Sequence, residues 1–209
     1  MLRISRTAGL FAREKREGNS SVDPISLQCR FPLLEIVRLW HVTCGMLGLT
    51  RIEPATIEDL PSLTELLMDL FAQESEFRPD YNNQMRGLRL LLEQPNRGRI
   101  FVLRSASKII GMINLLFTIS TAEGGFVILL EDLIIDRNFR DQGLGSELLK
   151  YAIDYAKQKN FLRITLLTDR VSEPSLVFFE KHGFQRSSMV PMRLWLGPAA
   201  AFHRKTGSA

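Results

Sequence analysis

Regularly spaced hydrophobic residues begin near residue 50 and continue through most of the chain. The segment Thr50–Glu53 is predicted to form a short strand. Leucines three and four apart over 60–71 predict an amphipathic helix, and Thr56 and Asp59 have the spacing of a capping box in front of it. A loop rich in Glu, Pro and Asn at 74–83 follows. The pattern therefore predicts a strand, a helix and a polar loop in this part of the chain.

Strands and helices alternate after this loop. Met85, Leu88, Leu91 and Leu92 have helical spacing, and the breaking residues at 95–98 end that second helix. Two turns, Ser-Ala-Ser and Ala-Glu-Gly-Gly, then separate three strand-like runs, which we expect to form an antiparallel meander. The remaining predicted elements are strands at 99–104, 108–119 and 126–135, a helix at 146–157, a strand at 163–168, a helix at 174–181 and a last strand near 189–196.

The first 45 residues do not share this pattern. Basic residues stand there among Ser, Gly and Asn, and an apolar stretch follows at 31–40. An organelle presequence is poor in acids, so Glu14 and Glu17 argue against one, and the uninterrupted apolar core of a secretory signal is missing. We therefore predict a poorly ordered extension at 1–45, one domain at 46–197 and a flexible tail at 198–209.

Most of the net charge of +4 belongs to the N-terminal extension. Residues 1–45 hold 7 Lys and Arg against 4 Asp and Glu, whereas residues 46–209 hold 20 against 19. The predicted domain therefore lacks the general basic footprint of a nucleic-acid-binding protein. No run approaches about 18 consecutive apolar residues, so we expect no membrane-spanning helix and a cytoplasmic protein.

Cysteine and histidine usage restricts the chemistry further. Both cysteines, Cys29 and Cys44, lie in the extension, so the domain uses neither a disulfide nor a thiol nucleophile. His41, His182 and His203 are the only histidines of the sequence and do not have the spacing of metal ligands. We therefore predict no metal. A Ser–His–Asp site would lack the usual strand–Gly-x-Ser-x-Gly–helix context.

The segment at 130–146 carries the clearest chemical signal. A buried strand is followed by a loop with Arg140, Gly143 and Gly145, and the loop opens a helix. Unpaired N–H groups at a helix N-terminus and the helix dipole favour an anion, and the glycines let a diphosphate approach the backbone. A plain strand-to-helix turn is the alternative. The loop lacks the Gly-Lys-Ser/Thr of a Walker loop and the third glycine of a dinucleotide fingerprint.

The hexapeptide RDQGLG at 140–145 resembles the Arg/Gln-x-x-Gly-x-Gly/Ala pyrophosphate loop of the GNAT acetyltransferase superfamily. Downstream, the segment PSLVFFEKHGF at 174–184 resembles the second motif of that superfamily, a helix closed by a Gly-Phe turn. The resemblance extends over about residues 49–196. It implies acetyl-CoA as cosubstrate and N-acetyltransferase activity for the domain at 46–197.

Three further segments are similar to those of diamine acetyltransferases: LEDL at 130–133, GLGSELLK at 143–150 and EPS at 173–175. The superfamily resemblance also implies a mixed α/β fold of the GNAT type. Its central, largely antiparallel sheet is splayed in the middle and carries helices on both sides.

The resemblance further implies where the cosubstrate binds. The pantetheine arm would lie between the strands at 126–135 and 163–168 and pair with the backbone there, and the pyrophosphate would sit on the amides at 141–146. Arg140 would reach a phosphate or lie in solvent. The residues implied in cofactor binding are Leu133, Ile134, Ile135, Arg140, Asp141, Gln142, Gly143, Leu144, Gly145, Ser146, Ser172 and Ser175.

Glu131 is the catalytic residue that the resemblance implies, because it matches an acid on the corresponding strand of diamine acetyltransferases. It would deprotonate the amine directly or through water. Neighbouring side chains on a strand face opposite sides, so Glu131 and Asp132 can both face the cleft only across a bulge. A structural carboxylate is the alternative. A backbone N–H near Leu133 would stabilise the oxyanion.

Phe179 is a departure from the family pattern. Many members have a tyrosine at this position, which protonates the leaving sulfur; the tyrosines of this chain are Tyr81, Tyr151 and Tyr155. A thiolate with a pKa of roughly 8.5 can leave without an acid, so the change predicts a slower or water-assisted step. We expect Tyr151 and Tyr155 to pack on the core and His182 to complement a helix dipole.

The acceptor is predicted only as a class. Glu74, Glu76, Asp80 and Glu123 fall in loops that border the acceptor mouth in the family, and such carboxylates suit a small cationic, diamine-like primary amine. Solvated loops contain the same residues. We expect direct attack in a ternary complex, and the resemblance leaves room for a homodimer. The alternatives are a non-catalytic acyl-CoA-binding module, acetylation of a protein or peptide amine, and nucleic-acid binding through residues 1–45.

Overall fold

A computed structural model of the chain describes residues 50–73, 77–168 and 172–196. The predicted extension at 1–45, the predicted tail at 198–209 and the predicted domain limits at 46 and 197 lie outside these residues. None of the described helices is long and apolar enough to cross a membrane. The strands are β1 (Thr50–Pro54), β2 (Gly98–Ser105), β3 (Lys108–Ser120), β4 (Gly125–Ile135) and β5 (Ile164–Leu166), and the α-helices are α1 (Leu60–Phe71), α2 (Tyr81–Leu92), α3 (Leu144–Gln158) and α4 (Glu173–Lys181).

The strands form one mixed sheet in the order β1-β2-β3-β4-β5. The first four strands pair antiparallel, and β5 runs parallel to β4. One apolar cluster joins a face of the sheet to α1 and α2, and a second cluster joins residues of the sheet to α3 and α4. The predicted mixed α/β sheet with helices on both sides is confirmed.

The start of α1 is fixed as its sequence predicts. The backbone N–H of Thr56 donates to Asp59 Oδ2 at 2.9 Å, and a capping box is present in the short 3-10 turn Ile57–Asp59. Asp59 also accepts a hydrogen bond from the Arg104 guanidinium on β2 at 2.6 Å. The buried leucines of α1 then pack on the sheet, so this cap sets where the helix meets the strands.

A β-bulge interrupts the pairing of β3 with β4. Asn114 pairs with Asp132 and Leu115 pairs with Leu130, so Glu131 is an extra residue on β4. Strict alternation would send residues 130 and 133 to opposite faces. The bulge instead keeps Leu130 and Leu133 in one apolar cluster with α3.

The two parallel strands separate partway along β4. Pairing with β5 covers only Ile128, Leu129 and Leu130, whereas β4 continues to Ile135. The edge of β4 beyond Leu130 therefore has no β5 partner. The predicted splay of the sheet is confirmed, and it opens beside the loop that leads into α3.

The predicted strand near 189–196 is wrong, because the structure assigns no strand to residues 185–196. Pro191 has no N–H to give to a ladder, and the side chains of Met192 and Leu194 are 93% and 86% exposed. Trp195 instead packs edge to face on Phe77, with ring centroids 6.3 Å apart.

Candidate functional site

A cavity of about 230 Å³ lies where the sheet splays, between the end of β4, the following loop and α4. It brings together nine of the predicted cofactor residues with two aromatic residues that the sequence did not single out. Glu131, Gln142, Ser172 and Ser175 do not line it. The lining residues are Leu133, Ile134, Ile135, Phe139, Arg140, Asp141, Gly143, Leu144, Gly145, Ser146 and Phe178.

The loop into α3 and the first turn of this helix line the cavity. Asp141 and Gly143 have φ angles of 61° and 80°, in the left-handed region, and this turn ends at the first residue of α3. The bond from Glu147 N to Gly143 O, at 3.1 Å, closes the first turn. The N–H groups of Leu144, Gly145 and Ser146 precede that bond, so they and the positive end of the dipole are suited to an anion.

Neither glycine of the loop is required by packing. A Cβ on Gly143 would meet no atom within 4 Å, although the φ of 80° disfavours any other residue there. A Cβ on Gly145 would lie 3.8 Å from the side chains of Ile135 and Phe178. Gly145 therefore leaves open the space between β4 and α4 that a bound ligand arm would use.

Arg140 is engaged with the protein itself. Its Nε donates to the carbonyl oxygen of Ile135 at 2.9 Å, and a terminal guanidinium nitrogen donates to Gln73 Oε1 at 3.1 Å. Gln73 follows the end of α1 and donates in turn to the carbonyl oxygen of Asp69 at 2.6 Å. Arg140 thus ties the loop to the end of β4 and to the end of α1 while it lines the cavity.

Ser172 and Ser175 lie together at the start of α4. Their hydroxyl oxygens are 2.9 Å apart, and both residues are buried, Ser175 completely. The Ser172 carbonyl oxygen accepts the first helical bonds from Ser175 and Leu176. In this arrangement their hydroxyls bond to each other rather than face the cavity.

Two neighbouring carboxylates at the bulge have opposite surroundings. Glu131 is exposed, whereas Asp132 is 4% exposed and accepts a hydrogen bond from Asn114 Nδ2 at 3.0 Å. Burial raises the pKa of Asp132 to about 6; the Asn114 hydrogen bond partly offsets this, and the nearby Glu131 charge adds to it. The sequence did not predict this raised pKa of Asp132; it indicated only that Asp132 and Glu131 could both face the cleft across a bulge.

The two phenylalanines of α4 have different roles. Phe179 is 3% exposed and packs edge to face on Phe184, with centroids 5.5 Å apart. Phe178 lines the cavity instead. Adjacent helix residues project about 100° apart, so Phe179 is buried in the core, whereas Phe178 packs at the edge of the same cluster and reaches the cavity. No sequence signal indicated Phe139, the other unpredicted lining residue.

Tyr151, Tyr155 and His182 take the structural positions that were predicted for them. The two tyrosine rings contact Phe101 edge to face at 5.0 and 4.9 Å. His182 Nδ1 lies 2.7 Å from the carbonyl oxygen of Phe178, at the C-terminal end of α4. The two tyrosines therefore pack on the core, and His182 lies at the end of a helix.

The predicted acceptor-loop carboxylates are only partly described. Glu74 and Glu76 lie outside the described residues. Asp80 caps α2 by accepting a hydrogen bond from the backbone N–H of Asn83 at 3.1 Å, and Glu123 pairs with Arg163 at 3.1 Å. These two carboxylates therefore have local structural partners.

The model of the acetyltransferase (GNAT) family matches residues 60–184, which include the whole cavity. The chain therefore belongs to the GNAT acetyltransferase family. Its resemblance to diamine acetyltransferases in particular finds no counterpart among the curated relatives.

Two curated proteins are similar to parts of the chain. One is streptothricin acetyltransferase A from Bacillus subtilis (strain 168), 34% identical over 56 residues, which are 27% of this chain and 32% of the relative. The other is glucosamine 6-phosphate N-acetyltransferase from Trypanosoma brucei brucei, 28% identical over 88 residues, which are 42% of this chain and 58% of the relative. The chain thus spans about a third and just over half of these two relatives.

Solved structures share the fold. An aminoglycoside acetyltransferase from an uncultured soil metagenomic sample, in complex with trehalose, superposes with a TM-score of 0.58 at 23% identity. The match covers 71% of this chain and 97% of that protein. The match therefore extends over nearly the whole of that neighbour.

Proposed function

We propose that this protein is an N-acetyltransferase, which transfers acetyl from acetyl-CoA to a primary amine by direct attack in a ternary complex. The observation that carries the proposal is the cavity between the unpaired edge of β4 and the N-terminus of α3. An extended, anionic ligand fits such a site, since β4 offers strand hydrogen bonds and the helix offers unpaired amides.

The residues that would hold acetyl-CoA follow from this arrangement. The amides of the loop and first turn, from Asp141 to Ser146, would bind the pyrophosphate, and Gly145 leaves room beside them. The backbone of Leu133 and Ile135 would pair with the pantetheine arm. Arg140 would act mainly by holding the loop, because its guanidinium already bonds to Ile135 and Gln73.

The bulge leaves Glu131 as an exposed carboxylate at the point where β4 separates from β5, which supports this residue as the base. We propose that Glu131 removes a proton from the acceptor amine, directly or through one water, and that the N–H of Leu133 donates to the developing oxyanion. Buried Phe179 supplies no proton. The thiolate would leave unassisted or take its proton from water, since its pKa is roughly 8.5.

For the acceptor we propose a small cationic amine, with a diamine as the first choice. The exposed carboxylate of Glu131 supports a cationic acceptor, and the segment LEDL at 130–133 supports the diamine. The curated relatives are named for streptothricin and for glucosamine 6-phosphate, so amines of these two kinds belong in the same test.

The test is a thiol-release assay with the full chain, acetyl-CoA and a panel of amines. The panel holds diamines and polyamines, streptothricin, aminoglycosides, glucosamine 6-phosphate and peptide N-termini, and mass spectrometry identifies each product. Acetylation of a diamine above the others is the expected result. Tight acetyl-CoA binding without turnover of any amine would show a binding module and overturn the proposed function.

A further inference from the structure

The buried pair of Asn114 and Asp132 stands at the point where the pairing of β3 with β4 changes register. The two residues are the last regular pair before the extra residue, Glu131, and one hydrogen bond of 3.0 Å joins their side chains. They are 7% and 4% exposed. Among the described residues, Asn114 Oδ1 is the buried side-chain polar atom that has no hydrogen-bond partner.

Such a pair is a poor way to stabilise a sheet. A buried amide with an unpaired oxygen and a buried carboxyl both cost stability, and two leucines would avoid that cost. The next cross-strand pair on the same face, Met112 with Ile134, is apolar and belongs to the cluster with α1 and α2. Buried polar groups that cost stability can specify one arrangement among several, and register is the best-attested case.

The competing arrangement can be written out from the pairing. Without the bulge, Leu115 and Leu130 would stay paired, Glu131 would stand opposite Asn114, and Asp132 would stand opposite Ile113. Ile113 belongs to the apolar cluster with α3. The regular register would therefore carry the Asp132 carboxyl into an apolar environment, and it would move Leu133 away from the face that it now shares with Leu130.

We infer that Asp132 and Asn114 form a register lock, which holds the bulge at Glu131 and thereby positions this carboxylate and the following backbone for acetyl transfer. Asp132 is then a positioning residue. Its carboxyl pairs with Asn114 only in the bulged register, and the regular register is penalised by its burial. The catalytic part of the inference rests on the proposed function, whereas the register lock does not.

The experiment compares two substitutions at one position. Asp132→Asn keeps a polar partner for Asn114, and its amide N–H can also satisfy Asn114 Oδ1. Asp132→Leu removes the penalty on the regular register and leaves Asn114 free to pair with Glu131. A Met112→Leu variant is the matched control, since it alters the buried face next to Asn114 without touching a polar group or a residue that lines the cavity.

Register is measured by NMR on the protein without substrates, from cross-strand proton contacts of residue 114 with residue 132 or residue 131. We expect Asp132→Asn and the control to keep the 114–132 contacts and Asp132→Leu to shift toward 114–131. We expect kcat to fall by roughly 10²-fold in Asp132→Leu, the span of general acid–base help, while Asp132→Asn stays close to wild type.

The register lock and the proposed function are tested by different results. Wild-type register and kcat in a folded Asp132→Leu would overturn the lock. Loss of kcat in Asp132→Asn with its register intact would show that Asp132 itself handles the proton, which also overturns the positioning role. If Asp132→Leu fails to fold, Asp132→Asn and the control still test the assignment. A wild-type protein that acetylates no amine defeats the proposed function but leaves the register contacts to be judged separately.

Discussion

A Cβ on Gly145 would lie 3.8 Å from the ring of Phe178, and both residues line the cavity. The distance is an ordinary van der Waals contact. The protein itself therefore has room for a first side-chain carbon at position 145, and a side chain there would displace ligand atoms that occupy this space beside the ring.

We predict that Gly145→Val weakens acetyl-CoA binding at least about tenfold and lowers the melting temperature only slightly, because a β-branched side chain would obstruct the approach of the diphosphate to the loop amides. Titration calorimetry and thermal unfolding measure the two quantities. Gly87→Val in α2, where a Cβ meets no atom within 4 Å, is the matched control. Unchanged affinity in a folded Gly145→Val would mean that the loop is only a turn.

We predict that Glu131→Gln lowers kcat/KM by roughly 10²-fold or more and leaves acetyl-CoA affinity nearly intact, because the residue acts on the amine proton. Glu65→Gln, on the exposed side of α1, is the control for loss of a surface charge. The pH–rate profile is measured with one good amine. Full activity of Glu131→Gln would show that Glu131 is not the base. If the fall in rate at acidic pH persists in this variant, another group causes that fall.

Asp132 predicts how folding stability changes with pH. Its pKa is raised to about 6 in the folded protein from an ordinary value of 3.8. The folded state therefore holds this proton more tightly, and the stability that it contributes is complete below pH 4 and is lost as the pH rises to about 6. The loss is about 3 kcal/mol, from 1.36 kcal/mol per unit of pKa shift.

Urea unfolding at several pH values between 4 and 7 measures this effect. As the pH rises across that window, the unfolding free energy of the wild type should fall relative to that of Asp132→Asn. Asp154→Asn, an exposed acid on α3, should show no such trend. If the unfolding free energies of wild type and Asp132→Asn change in parallel with pH, the pKa of Asp132 is not raised in the folded protein.

We predict that Phe179→Tyr changes kcat little, or raises it modestly where thiolate departure limits the rate. The ring is buried against Phe184, so the added hydroxyl needs a partner in the core and the variant should also melt at a lower temperature. Phe178→Tyr is the companion variant, because it adds the same hydroxyl to a cavity-lining ring. A large fall in kcat for a folded Phe179→Tyr would contradict the prediction.

Local signals of the sequence predicted the parts of the fold that depend on neighbouring residues. The leucine spacing and the pair Thr56 and Asp59 fixed α1, because a cap and an apolar stripe act within a few residues. The two glycines of RDQGLG likewise indicated the turn into α3. Its helix begins at Leu144 rather than at 146, which places Gly145 within the first turn.

The features that were missed depend on contacts distant in sequence. Both faces of β4 are largely buried, so its run of residues has no alternation that reveals Glu131 as the extra one. The bond between Ser172 and Ser175, and the engagement of Arg140 with Gln73, likewise depend on how elements pack. The expected strand near 189–196 rested on composition alone, and Pro191 counted against it.

The separation of β4 from β5 also sets a length scale for the acyl donor. Ile135, where the loop toward α3 begins, lies five residues beyond Leu130, where pairing with β5 ends, and this distance is about 17 Å at the rise of a strand. On the proposed function, the length of this unpaired edge fixes the distance between the anion-binding amides at one end and Glu131 at the other. A short thioester that lacks the diphosphate would reach the reactive end without an anchor, so donor selectivity would come from length as much as from chemistry.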